Sequence, residues 1–250
     1  MKPYSIMTPP FEVTSGGIRV MYGLYAWLLV KGQVAYLNAK YETPFIAVYP
    51  EIYTGNPAGA DTVVRYVLQT PGVMALYGRL GPKEFPKTDK IFVFSEVYNT
   101  LGVDEDHLMF LPILNLHLFK DYGKKRKKTC YLVGKGNDQF KHPENAIKID
   151  REIAKDQKGL ADLLNKCHTL YGYDRLSAMY DIARLCGCKV KYYGNLTKDD
   201  LKKYEPGMNG FTFKDEKDVR LDSGAFREHY KDMVKLMDKK IDTFIELTQK

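Results

Sequence analysis

Residues Tyr173 to Val190, YDRLSAMYDIARLCGCKV, read as an amphipathic helix that ends on a glycine and runs directly into a strand. Met179, Ile182, Ala183 and Leu185 recur at helical spacing, so one face can pack on a sheet. Gly187 suits the left-handed turn that ends such a helix. A helix joined this tightly to a strand points to α/β layers. The start of such a helix lies at the carboxyl edge of a parallel sheet, where phosphates and sugar hydroxyls commonly bind. Asp174 and Ser177 fall in the predicted first turn and Asp181 follows farther along. A nucleotide-linked ligand is therefore expected here.

The same alternation runs along the chain. Strands are predicted at Ser5 to Thr8, Gln33 to Leu37, Ile46 to Tyr49, Val73 to Tyr77, Lys90 to Phe94 and Met109 to Leu111. Helices are predicted at Ile18 to Lys31, stopped by Gly32, and at Asp61 to Gln69, with Asp61 as its cap. The order restarts after the basic run at Lys124 to Lys128. Strands follow at Thr129 to Val133, Ile147 to Ile149, His168 to Tyr171 and Val190 to Tyr193, with a helix at Gln157 to Lys166. A long terminal helix spans Ala225 to Thr248, with Met233, Leu236, Met237, Ile241, Phe244 and Ile245 as its apolar positions. The expected fold is α/β with two Rossmann-like halves. Residues 1–123 form the first half, 124–224 the second, and 225–250 the helix that returns to the first.

A content of 44% hydrophobic and 13% aromatic residues is enough to bury a core. The 19 tyrosines can stack on bases or sugars, or simply fill core edges. A net charge of +7 favours anionic ligands in general, sugar nucleotides as much as nucleic acid. The run KKRKK at Lys124 to Lys128 reads either as a solvated linker or as a nucleic-acid or membrane contact; no aromatic interleaves it. Cys186 and Cys188 lack the spacing of a zinc knuckle, and Cys130 and Cys167 sit in or near apolar runs. Buried free thiols in a reducing compartment are expected. The opening MKPYSIMTPPF lacks the apolar core of a signal peptide, and the apolar stretch Val20 to Val30 is too broken and short to span a bilayer. A cytoplasmic protein without a transmembrane segment is expected.

Four constellations can carry chemistry. Thr14-Ser15-Gly16-Gly17 precedes the first long helix, where paired glycines let a ligand approach free helix amides. Glu51 and Asn56 follow a predicted strand, as do Ser95 and Glu96; a carboxylate so placed can act as a base. His117 follows another strand as a third candidate base. Gly134-Lys135-Gly136 follows a strand, so amides and an ammonium can share a diphosphate's charge, although the GK[ST] ending of a phosphate loop is absent. Beside the opening helix, Tyr173 can pack on a base, and Asp174, Ser177 and Asp181 can accept from ribose or sugar hydroxyls. Each has a plain structural alternative: a turn, a cap, or a charge on a helix dipole.

In this order the pieces resemble the GT-B glycosyltransferases, two Rossmann-like halves with the donor held between them. PPFEVTSGGIRVMYGLYAWLLVKGQVAYL is similar to their opening strand, Gly-Gly loop and helix, with Gln33 where histidine is usual. Asp174 and Asp181 stand near their two acidic donor positions, and IARLCGCKV follows with Lys189 where proline is usual. The resemblance implies transfer of a sugar from a nucleotide diphosphate sugar to an acceptor hydroxyl, without a bound metal or other cofactor. It places the donor on Gly134, Lys135, Gly136, Tyr173, Asp174, Ser177 and Asp181, with Gly16 and Gly17 approaching from the first half. Glu51, Glu96 or His117 would be the base. The acceptor would be a glycan, or a hydroxylated base in DNA as in the compact phage enzymes. A non-catalytic sugar-nucleotide-binding protein and a basic nucleic-acid-binding protein remain the alternatives.

Overall fold

The structure, a computed structural model, describes residues 1–76 and 78–250. The chain divides into two compact units: Met1–Ile113 with Met233–Lys250, and Leu114–Asp232. Each holds a five-stranded parallel sheet.

The first sheet comprises β1 (Tyr4–Ile6), β2 (Ala35–Leu37), β3 (Ile46–Pro50), β4 (Thr62–Val67) and β7 (Lys90–Val93), in the order β2-β1-β3-β4-β7. A two-stranded hairpin, β5 (Ala75–Leu76) with β6 (Arg79–Leu80), lies between β4 and β7 in the chain. The predicted strand at Val73 to Tyr77 shortens to β5, and Tyr77 lies outside the described residues. Helix α1 (Gly16–Val30) buries Val20, Met21, Leu24 and Leu28. These join Tyr4, Ile6, Ile46, Val48 and Phe92 in one core, and Met237, Ile241 and Phe244 of the terminal helix complete it. The Tyr4 hydroxyl lies 2.7 Å from Thr248 Oγ1, and Lys31 pairs with Asp238 and Asp242. The opposite face of β3 packs Ala47 and Tyr49 against Phe45, Ala58 and Ala60.

The segment predicted as a helix at Asp61 to Gln69 is strand β4. Its sequence TVVRYV is β-branched and aromatic, which crowds a helix turn and suits a pleated sheet. Asp61 caps no helix; its carboxylate accepts the Phe45 N–H at 3.1 Å. Met109 to Leu111 is not a strand; a bridge from Val93 to Leu108 joins the chain just ahead of it to β7. Among the described residues, no α-helix connects β2 to β3 or β3 to β4.

The second sheet comprises β8 (Lys128–Leu132), β9 (Ile147–Lys148), β10 (Cys167–Gly172), β11 (Lys189–Tyr192) and β12 (Phe211–Phe213), in the order β12-β11-β10-β8-β9. Helices α2 (Arg151–Lys155) and α3 (Gln157–Leu164) lead from β9 to β10. Helix α4 (Ala178–Leu185) joins β10 to β11, and α5 (Lys198–Lys202) precedes β12. Strand β12 and helix α2 were not expected. Tyr180 of α4 meets Tyr192 and Phe211 edge-on, which fixes the helix to one sheet face. All four cysteines are free and buried in this unit, with Cys130 Sγ in contact with the thiols of Cys167 and Cys188.

The terminal helix α6 (Ser223–Gln249) begins two residues before its predicted start. Phe226 and Tyr230 are buried, Arg227 donates to the Leu116 carbonyl at 2.6 Å, and this part belongs to the second unit. The residues from Met233 onward return to the first unit. Leu236, expected in the apolar stripe, is 53% exposed. The first unit ends at Ile113 rather than 123, because Asn165 accepts the Tyr122 N–H and donates to the Lys120 carbonyl, tying that segment to the second.

In the first unit, Arg65 is buried on β4. Its Nε donates to Asp89 at 2.7 Å, its Nη atoms reach the carbonyls of Tyr53 and Gly55, and its guanidinium lies 5.0 Å over the Tyr49 ring. Asp89→Ala strands this charge. Chemical denaturation should show a loss of about 3–5 kcal/mol, and a loss below 1 kcal/mol would mean that the carbonyls and rings suffice (~1 kcal/mol being the scale of a surface pair).

Candidate functional site

Counted within its own unit, each sheet has the order 2-1-3-4-5. The chain moves outward from the first strand to the second, then returns past the first to the third. Loops leaving the carboxyl ends of the first and third strands therefore diverge and open a crevice between them. In the second unit these strands are β8 and β10; in the first they are β1 and β3.

In the second unit the crevice holds Gly134-Lys135-Gly136 after β8 and Tyr173-Asp174 after β10. They touch. Gly134 adopts φ +56°, and a Cβ there would lie 2.3 Å from Asp174 Oδ2. A Cβ on Gly136 would lie 1.8 Å from the Tyr173 carbonyl oxygen. Only glycine at both positions permits this approach. The Gly136 N–H closes the turn onto the Val133 carbonyl at 2.9 Å. Lys135 is exposed at its tip.

Asp174 is buried, with its Oδ1 accepting the Arg175 N–H at 2.8 Å. Burial raises its pKa; the Arg175 and Lys135 backbone amides and the Lys135 charge oppose the rise. It precedes helix α4 rather than sitting in its first turn. Ser177 is the N-cap, its hydroxyl accepting the Met179 N–H at 3.3 Å.

Asp181 does not face the crevice ligand as expected. It is buried beneath α4, paired with Arg184 at 2.7 Å, and accepts the Tyr204 hydroxyl at 2.6 Å. Asp174 lies ahead of the helix, so the seven-residue spacing that would align the two carboxylates on one face of a continuous helix does not bring them together. Tyr173 is likewise buried rather than open to a base. Its hydroxyl accepts the Lys141 N–H at 3.0 Å and lies 2.8 Å from His142 Nδ1, and burial pushes its pKa up to about 12. The half-buried ring beside it is Tyr193, 5.7 Å from Tyr173 and stacked at 6.1 Å on Tyr171.

Two residues escaped the sequence reading. The Arg175 Nε is buried and has no hydrogen-bond partner among the described residues; its backbone N–H serves Asp174 while its charge acts on Tyr192 and Asp200. Its signal was a basic residue directly after an acidic one at a strand end. His142 stacks on Tyr131 at 3.8 Å with an interplanar angle of 10°, from a loop with no periodicity to mark it.

In the first unit, Gly16 and Gly17 open α1 rather than a preceding loop, and Ser15 caps it. A Cβ on Gly16 would meet nothing within 4 Å, so the space beside this helix start is open. Glu51 follows β3, buried, with Oε2 accepting the Leu68 N–H at 2.9 Å. Thr8, 2% exposed beyond β1, has an Oγ1 with no hydrogen-bond partner among the described residues. Glu96 lies beyond β7, where its carboxylate accepts from Asn99 Nδ2 at 2.9 Å. Asn56 is occupied within its own turn by Tyr49 and Ala60. His117 belongs to the other unit and is exposed, so the three candidate bases do not gather in one unit.

Among the described residues, no cluster of three His, Cys, Asp or Glu is arranged to hold a metal ion, and no helix is long and apolar enough to cross a membrane.

No known family model matches the chain, and no curated protein matches it. Two solved structures are similar at a distance. A functionally uncharacterized protein, KP1_0663 from Klebsiella pneumoniae, aligns with a TM-score of 0.44 at 12% identity, covering 85% of this chain and 92% of that one. The C-terminal region of E. coli RcsC, with its linker and phosphoreceiver domain, gives a TM-score of 0.25 at 11% identity, covering 96% and 94%. Likenesses this weak carry no functional argument.

Asp174 gives the site a testable pH signature. Its pKa is raised on folding, so its contribution is most favourable below the ordinary carboxylate value and is lost as pH rises through the folded one. Asp174→Asn removes that loss. The variant should melt higher than the parent at neutral pH, and the gap should close below about pH 4; a gap that stays constant with pH would refute the desolvation account.

Proposed function

We propose that the chain is a glycosyltransferase that moves a sugar from a nucleotide diphosphate sugar to an acceptor hydroxyl, with the donor bound at the carboxyl edge of the second unit. The observation that carries this reading is the convergence of Gly134, Lys135, Gly136 and Asp174 where the strand order reverses. A lysine on a glycine turn suits a diphosphate, whose charge grows as the sugar departs. Asp174 accepts from ribose or sugar hydroxyls, and Tyr193 rather than Tyr173 offers a ring to the base. The ordered resemblance to GT-B enzymes supports the same assignment. The first unit supplies the acceptor side, with Glu51 and Glu96 as candidate bases at its carboxyl edge. The acceptor is a glycan or a hydroxylated base in DNA.

Sequestration of Asp181 favours one further reading, a sugar-nucleotide-binding protein without turnover. Thermal stabilisation across nucleotide diphosphates and their sugars tests binding, since a ligand at about 100 times its Kd adds about 2.7 kcal/mol. One base should stand out, with its shift lost in Lys135→Ala. A shift unaffected by that substitution, or no shift with any nucleotide, would overturn the assignment. Slow donor hydrolysis by the bound protein then separates an enzyme from a binding protein.

A further inference from the structure

The whole of the chain's net charge lies on one unit. The second unit holds 25 Lys and Arg against 18 Asp and Glu, a net +7, and the first is balanced at 13 against 13. The excess gathers at the amino edge of the second sheet, opposite the donor crevice. In a parallel sheet the starts of neighbouring strands lie side by side, about 4.8 Å apart. Here the Lys127 and Lys128 amides entering β8 both donate to the Lys166 carbonyl entering β10, and Lys189 opens β11 next to it. Exposed Lys120, Lys125, Lys127, Lys128, Lys166 and Arg220 form no ion pair among the described residues. The carboxylates beside them are matched by other cations: Asp121 with Arg126, Asp162 with Lys124, and Asp218 with Lys189.

A cavity of about 480 Å³ opens at this edge, lined by Arg126, Lys189 and Arg220 together with Asp121 and Asp218, which Arg126 and Lys189 neutralise. The Arg126 guanidinium is fixed by the carbonyls of Lys124 at 3.1 Å and Cys186 at 2.8 Å and by Asp121 at 2.7 Å. Its Nε is buried and has no hydrogen-bond partner among the described residues. A Cβ on Gly187 would lie 2.0 Å from Arg126 Nη2, so the glycine that ends α4 also makes room for this cation.

We propose that this edge binds the phosphate backbone of double-stranded nucleic acid, without sequence preference. A row of uncompensated cations matches the regular negative charge of a duplex. Tyr122 is the one aromatic beside the basic run, which argues against the base stacking that single strands require. The surface is independent of the donor crevice, so neither assignment rests on the other.

The test is fluorescence anisotropy of a short labelled duplex with the full chain. Six phosphate contacts predict a log–log salt slope of about −5 and a roughly thousandfold weakening between 50 and 200 mM salt. The double charge reversal Lys125→Glu with Lys127→Glu, both exposed, should weaken binding at least ~10-fold with an unchanged melting temperature. Lys135→Ala at the opposite edge should leave duplex binding intact. Absence of binding, binding indifferent to the reversal, or loss in Lys135→Ala would overturn the proposal. So would stabilisation by inorganic phosphate, or capture by anionic vesicles, without duplex binding.

Discussion

Everything placed at the carboxyl edges depends on one reversal of strand order. A parallel sheet needs a crossover for every step between neighbours, and the direction of those crossovers changes once in each unit, after the second strand, which leaves the switch point between the first and the third. Where it changes, no connection crosses the sheet edge, and the backbone there is left to loops. Both glycine-rich segments of the chain fall at such a point: Gly16-Gly17 after β1 and Gly134-Lys135-Gly136 after β8. The two are used differently. The first opens a long helix into free space, whereas the second is pressed onto Asp174 and Tyr173.

That pressing accounts for the electrostatics. A carboxylate packed under a glycine turn loses water on one side, and burial disfavours its charge. Its compensation comes from amides of the same two loops and from a lysine in the turn. Asp181, two turns along, meets the opposite fate: its guanidinium partner is buried with it, and the pair is further held by the Gly207 carbonyl and the Phe226 ring. Two acidic residues seven positions apart thus divide into one that faces an opening and one that fixes a helix.

The second half was the more legible in sequence. Its helix–glycine–strand unit and the strand ahead of Gly134 follow from local patterns that tertiary packing did not override, and the glycine turn lies where those patterns put it, with Asp174 ahead of the helix rather than in its first turn. The first half misled at Asp61 to Gln69, where apolar residues satisfy either period and the β-branched and aromatic content of TVVRYV pointed to a strand. Strand β12, three residues between glycine-rich and charged stretches, was too short to show periodicity. The fate of Tyr173 and Asp181 was not readable, because both are decided by partners distant in sequence: the 141–142 loop for one, Tyr204 for the other. Arg175 stood in plain view, but nothing local says that a guanidinium will lack an acceptor.

The four thiols bear on how the molecule breathes. All are buried and all lie in the second unit, with Cys130 in contact with both Cys167 and Cys188. Burial pushes the Cys186 thiol up to about 12, so in the closed state it is an inert hydrophobe rather than a nucleophile. Alkylation must therefore wait for that sheet to part. The first unit, with no cysteine at all, is silent to the same reagent. The chain carries a built-in clock for the opening of one half, and its rate would distinguish fraying of that half alone from cooperative loss of the whole.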